Sequence, residues 1–239
     1  MNEIDLFFDE NYLKYGIKKY IKWNYAKNPH ILVTGATGSG KTVCAKLIAA
    51  RIGKYIKDSQ IFVADYKGDS DFDILNGMKH FYRYTECEHT LRDYYNMFQK
   101  RLSGEDSSKN FKLLYTDEWS SYISSVDKKK AEEDKKMLNT ILCMGRSYNV
   151  HLMQVMQRCD SSFFASGGSR DQYSTRVGMG NLSEQGKEML FYEYREKIKA
   201  DRKQGTGYMI NDDAFVPIVV PYIADMDLVN FYIKEAVNR

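Results

Sequence analysis

The chain has 239 residues, 35 Lys+Arg against 32 Asp+Glu for a formal net charge of +3, and 43% hydrophobic residues. That length suits one α/β domain with a sizeable core, and the near-balanced charge excludes a global polycation, so any contact with nucleic acid must come from a local patch. No stretch approaches the ~20 apolar residues a membrane span needs, and the acidic, aromatic start MNEIDLFFDENYLKYG is not a secretory signal.

In chain order, residues 1–28 are expected to form a helical lead-in, because YLKYGIKKYIKWNYA sets Leu13, Ile17, Tyr20 and Ile21 on one face. A strand at Ile31 to Thr34 follows, then a turn rich in glycine and a helix to about Ile52. SQIFVADY reads as a second strand ending at Asp65, CEHTLRDYYNMFQKRLSG as an amphipathic helix closing at Gly104, and FKLLYTDE as a third strand. A long charged helical stretch contains DKKKAEEDKK, whose mixed signs at i,i+4 spacing favour a solvated helix face over a nucleic-acid contact. HLMQVMQR is a fourth strand, TRVGMG a fifth, and GTGYMI with FVPIVVPY a terminal hairpin or pair. Strands alternating with helices predict an α/β fold with a mainly parallel sheet flanked by helices on both faces. The four scattered cysteines, Cys44, Cys87, Cys143 and Cys159, hold no CxxC pair. Buried free thiols in a reducing cytoplasm are therefore expected, rather than zinc ligands.

Residues 31–43, ILVTGATGSGKTV, run an apolar strand into a full GxxxxGK[ST] pattern. Gly35, Gly38 and Gly40 let the backbone turn tightly, so that the N–H groups of Ala36, Thr37, Ser39 and their neighbours up to Val43 can cradle phosphate at a helix N-terminus. Lys41 can reach the β- and γ-phosphates of ATP, and the Thr42 hydroxyl can ligate Mg²⁺. FKLLYTDE delivers two adjacent carboxylates to the C-terminal edge of a sheet, where ligands bind in open α/β folds. Asp117 is placed to hold Mg²⁺ and Glu118 to polarise an attacking water, which favours hydrolysis over transfer to a substrate hydroxyl. Gln157, ending the next strand, offers a neutral amide that can accept from water and donate to phosphate.

The order NPHILVTGATGSGKTV, IFVADYKGD, LLYTDEWSSYI, GRSYNVHLMQVMQR and STRVGMGNLSEQGKEML resembles the motor domain of the FtsK/SpoIIIE DNA translocases and their FtsK–HerA relatives, over about residues 29–220. The resemblance implies a RecA-like P-loop NTPase over residues 29–239, acting as an ATP-dependent translocase of double-stranded DNA in a homohexameric ring. It implies Lys41, Thr42, Asp117, Glu118 and Gln157 as site residues, completed in trans by an arginine finger of the adjacent subunit. Arg146 is the first candidate, with Arg176 and Arg158 behind it; each arginine has a surface ion pair as its plainer alternative. The membrane-spanning N-terminal region and C-terminal winged-helix module of large family members have no counterpart in the sequence. ADYKG stands where chromosomal members have a D-P-K type sequence. These departures point to a cytoplasmic stand-alone motor of a plasmid, conjugative element or phage, with recruitment by a membrane-anchored partner as one arrangement.

For DNA contact, two segments are candidates: the basic cluster Arg195, Lys197, Lys199, Arg202 and Lys203, and the Ser/Gly-rich loop RCDSSFFASGGSRDQ. An ordinary basic helix face is the plainer reading of any one lysine. Two other functions remain: a viral genome-packaging ATPase, and a small-molecule P-loop kinase, which Glu118 disfavours.

Overall fold

Continuous apolar runs mark strands buried on both faces, and ILVTG, KLLYTD and VHLMQVM become strands buried at every residue. The computed structural model describes residues 2–166, 169–212 and 214–239. Along the chain run β1 (Glu3–Asp9), α1 (Glu10–Leu13), β2 (Tyr20–Asn24), β3 (Ile31–Gly35), α2 (Lys41–Tyr55), β4 (Gln60–Asp65), β5 (Phe81–Arg83), α3 (Cys87–Ser103) and β6 (Lys112–Asp117). Then come α4 (Trp119–Ser125), α5 (Lys128–Met144), β7 (Val150–Met156), β8 (Thr175–Met179), α6 (Glu184–Phe191), β9 (Thr206–Asn211), β10 (Ala214–Val219) and α7 (Met226–Asn238).

Among the described residues these strands form one sheet in the order β2-β1-β10-β9-β8-β3-β7-β6-β4-β5. From β8 to β5 every pairing is parallel; β9, β10, β1 and β2 extend the sheet antiparallel. The fold is the RecA-like α/β arrangement with helices on both faces. Alternation along the strands sorts the core into two layers. Ile31, Val33, Val63, Leu113 and Val155 face α2 and α7, whereas Leu32, Phe62, Leu114 and Leu152 face α3 to α6. Helix α7, which the sequence reading did not anticipate, crosses α2 so closely that a Cβ at Gly53 would lie 2.2 Å from the Tyr232 carbonyl oxygen. Only glycine fits there.

The expected helical lead-in is corrected. Residues 3–24 form the β1–β2 pair with the short α1 between them, and β1 joins the main sheet through β10. Gly16 sits at φ 78°, which a helix cannot hold, and burial alternates along YIKWN towards a fully buried Trp23. A register shift between Asp5 and Phe7 leaves Leu6 and Phe7 both buried, as a bulge permits. Trp23 Nε1 donates to the Asn28 carbonyl at 2.7 Å, and its ring meets Phe111 and His151 edge-on.

The charged stretch after β6 is two helices, because Asp127 caps α5 by accepting from the Lys130 amide at 3.1 Å. Its i,i+4 pairing is present in Lys130–Asp134, but the face is not fully solvated: Asp134 and Lys135 are buried, and Tyr122 Oη donates to Asp134 at 2.7 Å. Cys44, Cys87 and Cys159 are buried as expected; Cys143 is exposed, which corrects the expectation of burial there. Burial pushes the Cys87 and Cys159 thiols up to about 12, so both are inert.

Candidate nucleotide site

The turn between β3 and α2 takes the conformation its glycines predict. Gly38 and Gly40 adopt φ 79° and 89°, and Gly40 caps α2 in the left-handed region. Ala36, Thr37 and Gly38 are exposed, Thr42 is half-buried, Val43 is exposed, and the α2 N-terminus opens towards the same edge of the sheet. Ser39 is buried, and its Oγ is without a partner among the described residues. Its carbonyl accepts from Gly205 N at 3.0 Å, at the turn before β9. Gly40 holds φ 89°, where a side chain is strained, and a Cβ there would crowd Gly205 N at 3.1 Å. No sequence signal pointed to this contact beyond the GTG turn itself, since it joins residues far apart in the chain.

Three parallel strands bring the other residues to this edge. Thr34 of β3 lies opposite Met156 of β7, so Gln157 emerges beside the start of the loop. β6 flanks β7 and ends in Asp117. Glu118 follows at φ 56° and ψ 45°, a left-handed non-glycine residue at the N-terminus of α4, and strain of this kind concentrates at functional positions. Its carbonyl starts the helix by accepting from Ser121 N and Tyr122 N at 2.9 and 3.2 Å. Ala36, Thr37, Glu118, Ser120, Gln157 and Arg158 line one open cleft.

The central contact is an ion pair. Lys41 Nζ donates to Glu118 Oε1 at 2.7 Å, with the two side chains 8% and 3% exposed. Asp117 is also buried, and burial pushes its carboxyl up to about 7, helped by the Glu118 and Asp65 carboxylates and opposed by Lys41 and a 3.3 Å hydrogen bond from Tyr115. Asp65 ends β4 directly opposite Asp117. It is held by Arg83 Nε at 3.0 Å and by the Gly68 and Asp69 amides at 2.9 and 3.3 Å. Motif reasoning missed the Asp65–Arg83 clamp and Tyr115, because neither belongs to a short pattern.

The residues fit a Mg²⁺–nucleotide. Buried Ser39 Oγ lacks a partner among the described residues, Ala36, Thr37 and Gly38 of the loop are exposed, and one hydroxyl (Thr42) and one carboxylate (Asp117) are the sparse protein ligands that Mg²⁺ uses when phosphates and water complete its shell. Among the described residues no group of three or more His, Cys, Asp or Glu could hold a metal without a nucleotide.

The candidate arginines part company. Arg158 lines the cleft with Gln157. Arg176 is half-buried in β8, where burial lowers its pKa. Arg146 is exposed in the Gly145–Tyr148 turn before β7. One strand of seven residues, about 23 Å at 3.3 Å per residue, therefore separates it from Gln157, and it is remote from the loop of its own chain. Buried Arg101 fixes that turn by donating to the Tyr148 carbonyl at 2.7 Å. Of the basic cluster, Arg195, Lys197, Lys199 and Lys203 are exposed. Arg202 is corrected: its side chain is 8% exposed, paired with Glu10 at 2.7 Å and bonded to the Gly207 and Ile218 carbonyls. In the Ser/Gly-rich loop, Gly167 and Gly168 lie outside the described residues.

A glycine-rich loop capping a helix, its lysine against a strand-end glutamate and a neighbouring strand-end amide, all on one edge of a parallel sheet, define a P-loop nucleoside-triphosphatase of the RecA-like class. The family model for the FtsK/SpoIIIE family matches residues 11–162, and the chain belongs to that family. The FtsK domain-containing protein YdcQ of Bacillus subtilis (strain 168) is 25% identical over 208 residues, 80% of this chain and 42% of that protein, so the chain spans less than half of that relative. Among solved structures, the pCW3 conjugation coupling protein TcpA, a monomer form with ATPγS, matches at TM-score 0.69 and 19% identity over 90% of this chain and 67% of that one. The cytoplasmic domain of the Thermomonospora curvata type VII secretion ATPase EccC matches at 0.73 and 17% identity, covering 100% and 31%. The genome packaging NTPase B204 of Sulfolobus turreted icosahedral virus 2, in complex with AMP, matches at 0.53 and 14% identity, covering 81% and 97%. Among the described residues no helix is long and apolar enough to cross a membrane.

Proposed function

We propose that the chain is an ATP-dependent DNA translocase working in the cytoplasm as a homohexameric ring, for a plasmid, conjugative element or phage. Residues 29–239 form its motor unit, whose sheet is extended by β1 and β2 of residues 3–24. The observation that carries the reading is the buried Lys41–Glu118 pair at 2.7 Å, set beside Asp117 and Gln157 in a chain of the FtsK/SpoIIIE family. A kinase needs no second carboxylate at that position; a hydrolase does.

In this reading the amides of Gly35 to Val43 and the Lys41 ammonium hold the phosphates of ATP. Thr42 and Asp117 hold Mg²⁺, which supplies charge neutralisation at the transferred phosphoryl group. Glu118 takes up the proton of the attacking water, and Gln157 orients that water without adding charge. Arg146 of the adjacent subunit completes the site. Its position away from its own loop suits a group that serves a neighbour, and dependence on the neighbour restricts hydrolysis to the assembled ring. A membrane-anchored partner recruits the ring.

A second reading, viral genome packaging, draws on the likeness to B204, which this chain matches over 97% of that protein's length. Both readings share one test. ATP turnover is expected to rise several-fold with long double-stranded DNA; turnover indifferent to DNA would sink both and leave the nucleotide site without a motor.

A further inference from the structure

Where α1 gives way to β2, the chain builds a turn that no part of the nucleotide site uses. Residues 14–20 are all exposed, and β2 is the last strand at its end of the sheet. Tight backbone hydrogen bonds hold the turn: Gly16 N donates to the Leu13 carbonyl at 2.8 Å, Ile17 N to the Tyr12 carbonyl at 3.2 Å and Lys19 N to the Ile17 carbonyl at 3.0 Å. Asp9 N closes its base by donating to the Lys19 carbonyl at 2.9 Å. Gly16 takes φ 78°, and a Cβ there would meet nothing within 4 Å. On either side of it stand Tyr15 and Ile17, 74% and 53% exposed. With Tyr12 and Tyr20 also exposed, four large apolar side chains face water within nine residues. Scattered singly they would need no explanation; gathered on one turn they mark a contact surface.

The charge around this turn is one-sided. Residues 11–28 carry Lys14, Lys18, Lys19, Lys22 and Lys27 and no Asp or Glu, a local +5 in a chain of net +3. Glu10, the acid that precedes them, is taken by Arg202 at 2.7 Å. Lys27 pairs with Asp212 at 2.9 Å and Lys22 with Glu3 at 3.8 Å. Lys14, Lys18 and Lys19 form no ion pair among the described residues. Two of them lie against tyrosine rings instead: Lys19 Nζ is 4.0 Å from the Tyr12 centroid, and Lys14 Nζ is 5.0 Å from that of Tyr15. Tyr20 is fixed by the Phe8 ring at 4.5 Å and the Arg51 guanidinium at 5.0 Å. The turn thus interleaves ammonium groups with exposed rings and one aliphatic side chain, on a backbone tied by its own hydrogen bonds.

We propose that this turn docks on an anionic lipid surface, with Tyr15 and Ile17 inserted at headgroup level. Lysine ammoniums are drawn to anionic headgroups, while tyrosine rings and aliphatic side chains belong at the boundary between headgroups and acyl chains. The long lysine stems keep their charges among the headgroups as Ile17 sinks past them. A duplex would accept the ammoniums but leave Ile17 in solvent, since phosphate contacts are polar. A folded protein partner calls for close shape complementarity, whereas a lipid surface yields around a projecting turn. Each lysine near such a surface contributes about five-fold in partition, so Lys14, Lys18 and Lys19 together contribute about 100-fold. The contact goes beyond the translocase reading and adds a lipid component to recruitment by a membrane-anchored partner.

The test is co-sedimentation of the full chain with vesicles of phosphatidylcholine and phosphatidylserine, in a ratio of about 2:1, and with vesicles of phosphatidylcholine alone. The wild type is expected to sediment with the first and not the second, and to be released as salt screens its exposed charges. Lys14→Gln with Lys18→Gln and Lys19→Gln is expected to lower partition about 100-fold. Lys128→Gln with Lys129→Gln and Lys136→Gln, which removes the same charge from exposed sites on α5, should leave it unchanged. Ile17→Ser keeps the charge and is expected to lower partition several-fold through lost apolar burial. Thermal melting checks folding. If the triple variant of the turn fails to melt cooperatively, Lys18→Gln is compared with Lys136→Gln, and about five-fold is expected between them. The same variants are titrated against a labelled duplex, for which the turn variant is expected to keep wild-type affinity. Equal vesicle losses from the turn and α5 would overturn the docking surface in favour of diffuse charge, and wild-type partition by Ile17→Ser would overturn insertion. A loss for duplex as large as for vesicles would assign the turn to nucleic acid instead. A wild type that ignores anionic vesicles would remove the proposal and leave the translocase reading untouched.

Discussion

The lysine that must grip phosphate and the glutamate that must receive a proton satisfy each other: Lys41 and Glu118 pair at 2.7 Å with almost no solvent around them. Removing one partner of a buried pair leaves the other uncompensated, so the pair can open only as another anion takes its place. Glu118→Gln is accordingly expected to lower turnover by about 10²- to 10⁴-fold, the range of a lost general base. It should bind ATPγS at least as tightly as the wild type, because Lys41 no longer has a competing carboxylate. Calorimetric titration decides the point; clearly weaker binding would mean that Glu118 helps to build the loop. These residues were legible in the sequence because each sits in a short pattern with a mechanical reason. The left-handed backbone at Glu118 and the Asp65–Arg83 clamp were not, since both arise from strands that meet only after folding.

Among the elements, the first 28 residues carry the lesson about periodicity. Leu13, Ile17, Tyr20 and Ile21 match a helical face on paper, but Gly16 breaks the run and the segment past it alternates towards Trp23. Aromatic and β-branched residues fit a pleated, half-buried surface better than a helix, and the β1 partner that decides the matter is invisible in the local window. The parallel strands were readable for the opposite reason: buried on both faces, they are apolar throughout. Trp23 anchors the β1–β2 pair against Phe111 and His151. Trp23→Ala is therefore expected to lower unfolding free energy by about 3–5 kcal/mol, the usual range for a fully buried large aromatic. Denaturant titration checks this, and a loss within the scatter of a surface substitution would show that the pair is merely appended.

At the scale of the whole molecule, two buried histidines make stability depend on pH. Burial holds His30 down to about 3 and His151 to about 4. Both stay neutral when folded but charge in the unfolded chain near pH 6.5. Their contribution is complete above that pH and is lost as pH falls from 6.5 towards the folded values. Between pH 7.5 and 5.5 the two together should remove about 3 kcal/mol. Asp117, raised to about 7, works in the other direction, since its folded form takes up a proton in the same interval and is stabilised as pH falls. Asp117→Asn should therefore show the steeper loss and the wild type a shallower one, as read from urea midpoints; equal slopes would count against the raised Asp117. Assembly supplies the last prediction. Arg146→Ala is expected to abolish turnover in assembled rings while leaving ATPγS affinity intact, and mixed rings with Lys41→Ala subunits should regain part of the activity. Normal turnover by Arg146→Ala alone would transfer the role to Arg158 or Arg176.

The link from Gly205 N to the Ser39 carbonyl is made by main chain on both sides. Gly205→Ala would keep the N–H but strain a backbone held at φ 76°, and proline, which would delete the donor, cannot adopt that φ at all. A single amide-to-ester replacement at position 205 removes that N–H without adding a side chain, at the cost of a weaker acceptor at the preceding carbonyl. The tie between the turn before β9 and the nucleotide loop is thus probed more cleanly by chemical synthesis than by mutagenesis, which strains the backbone at residue 205 as well.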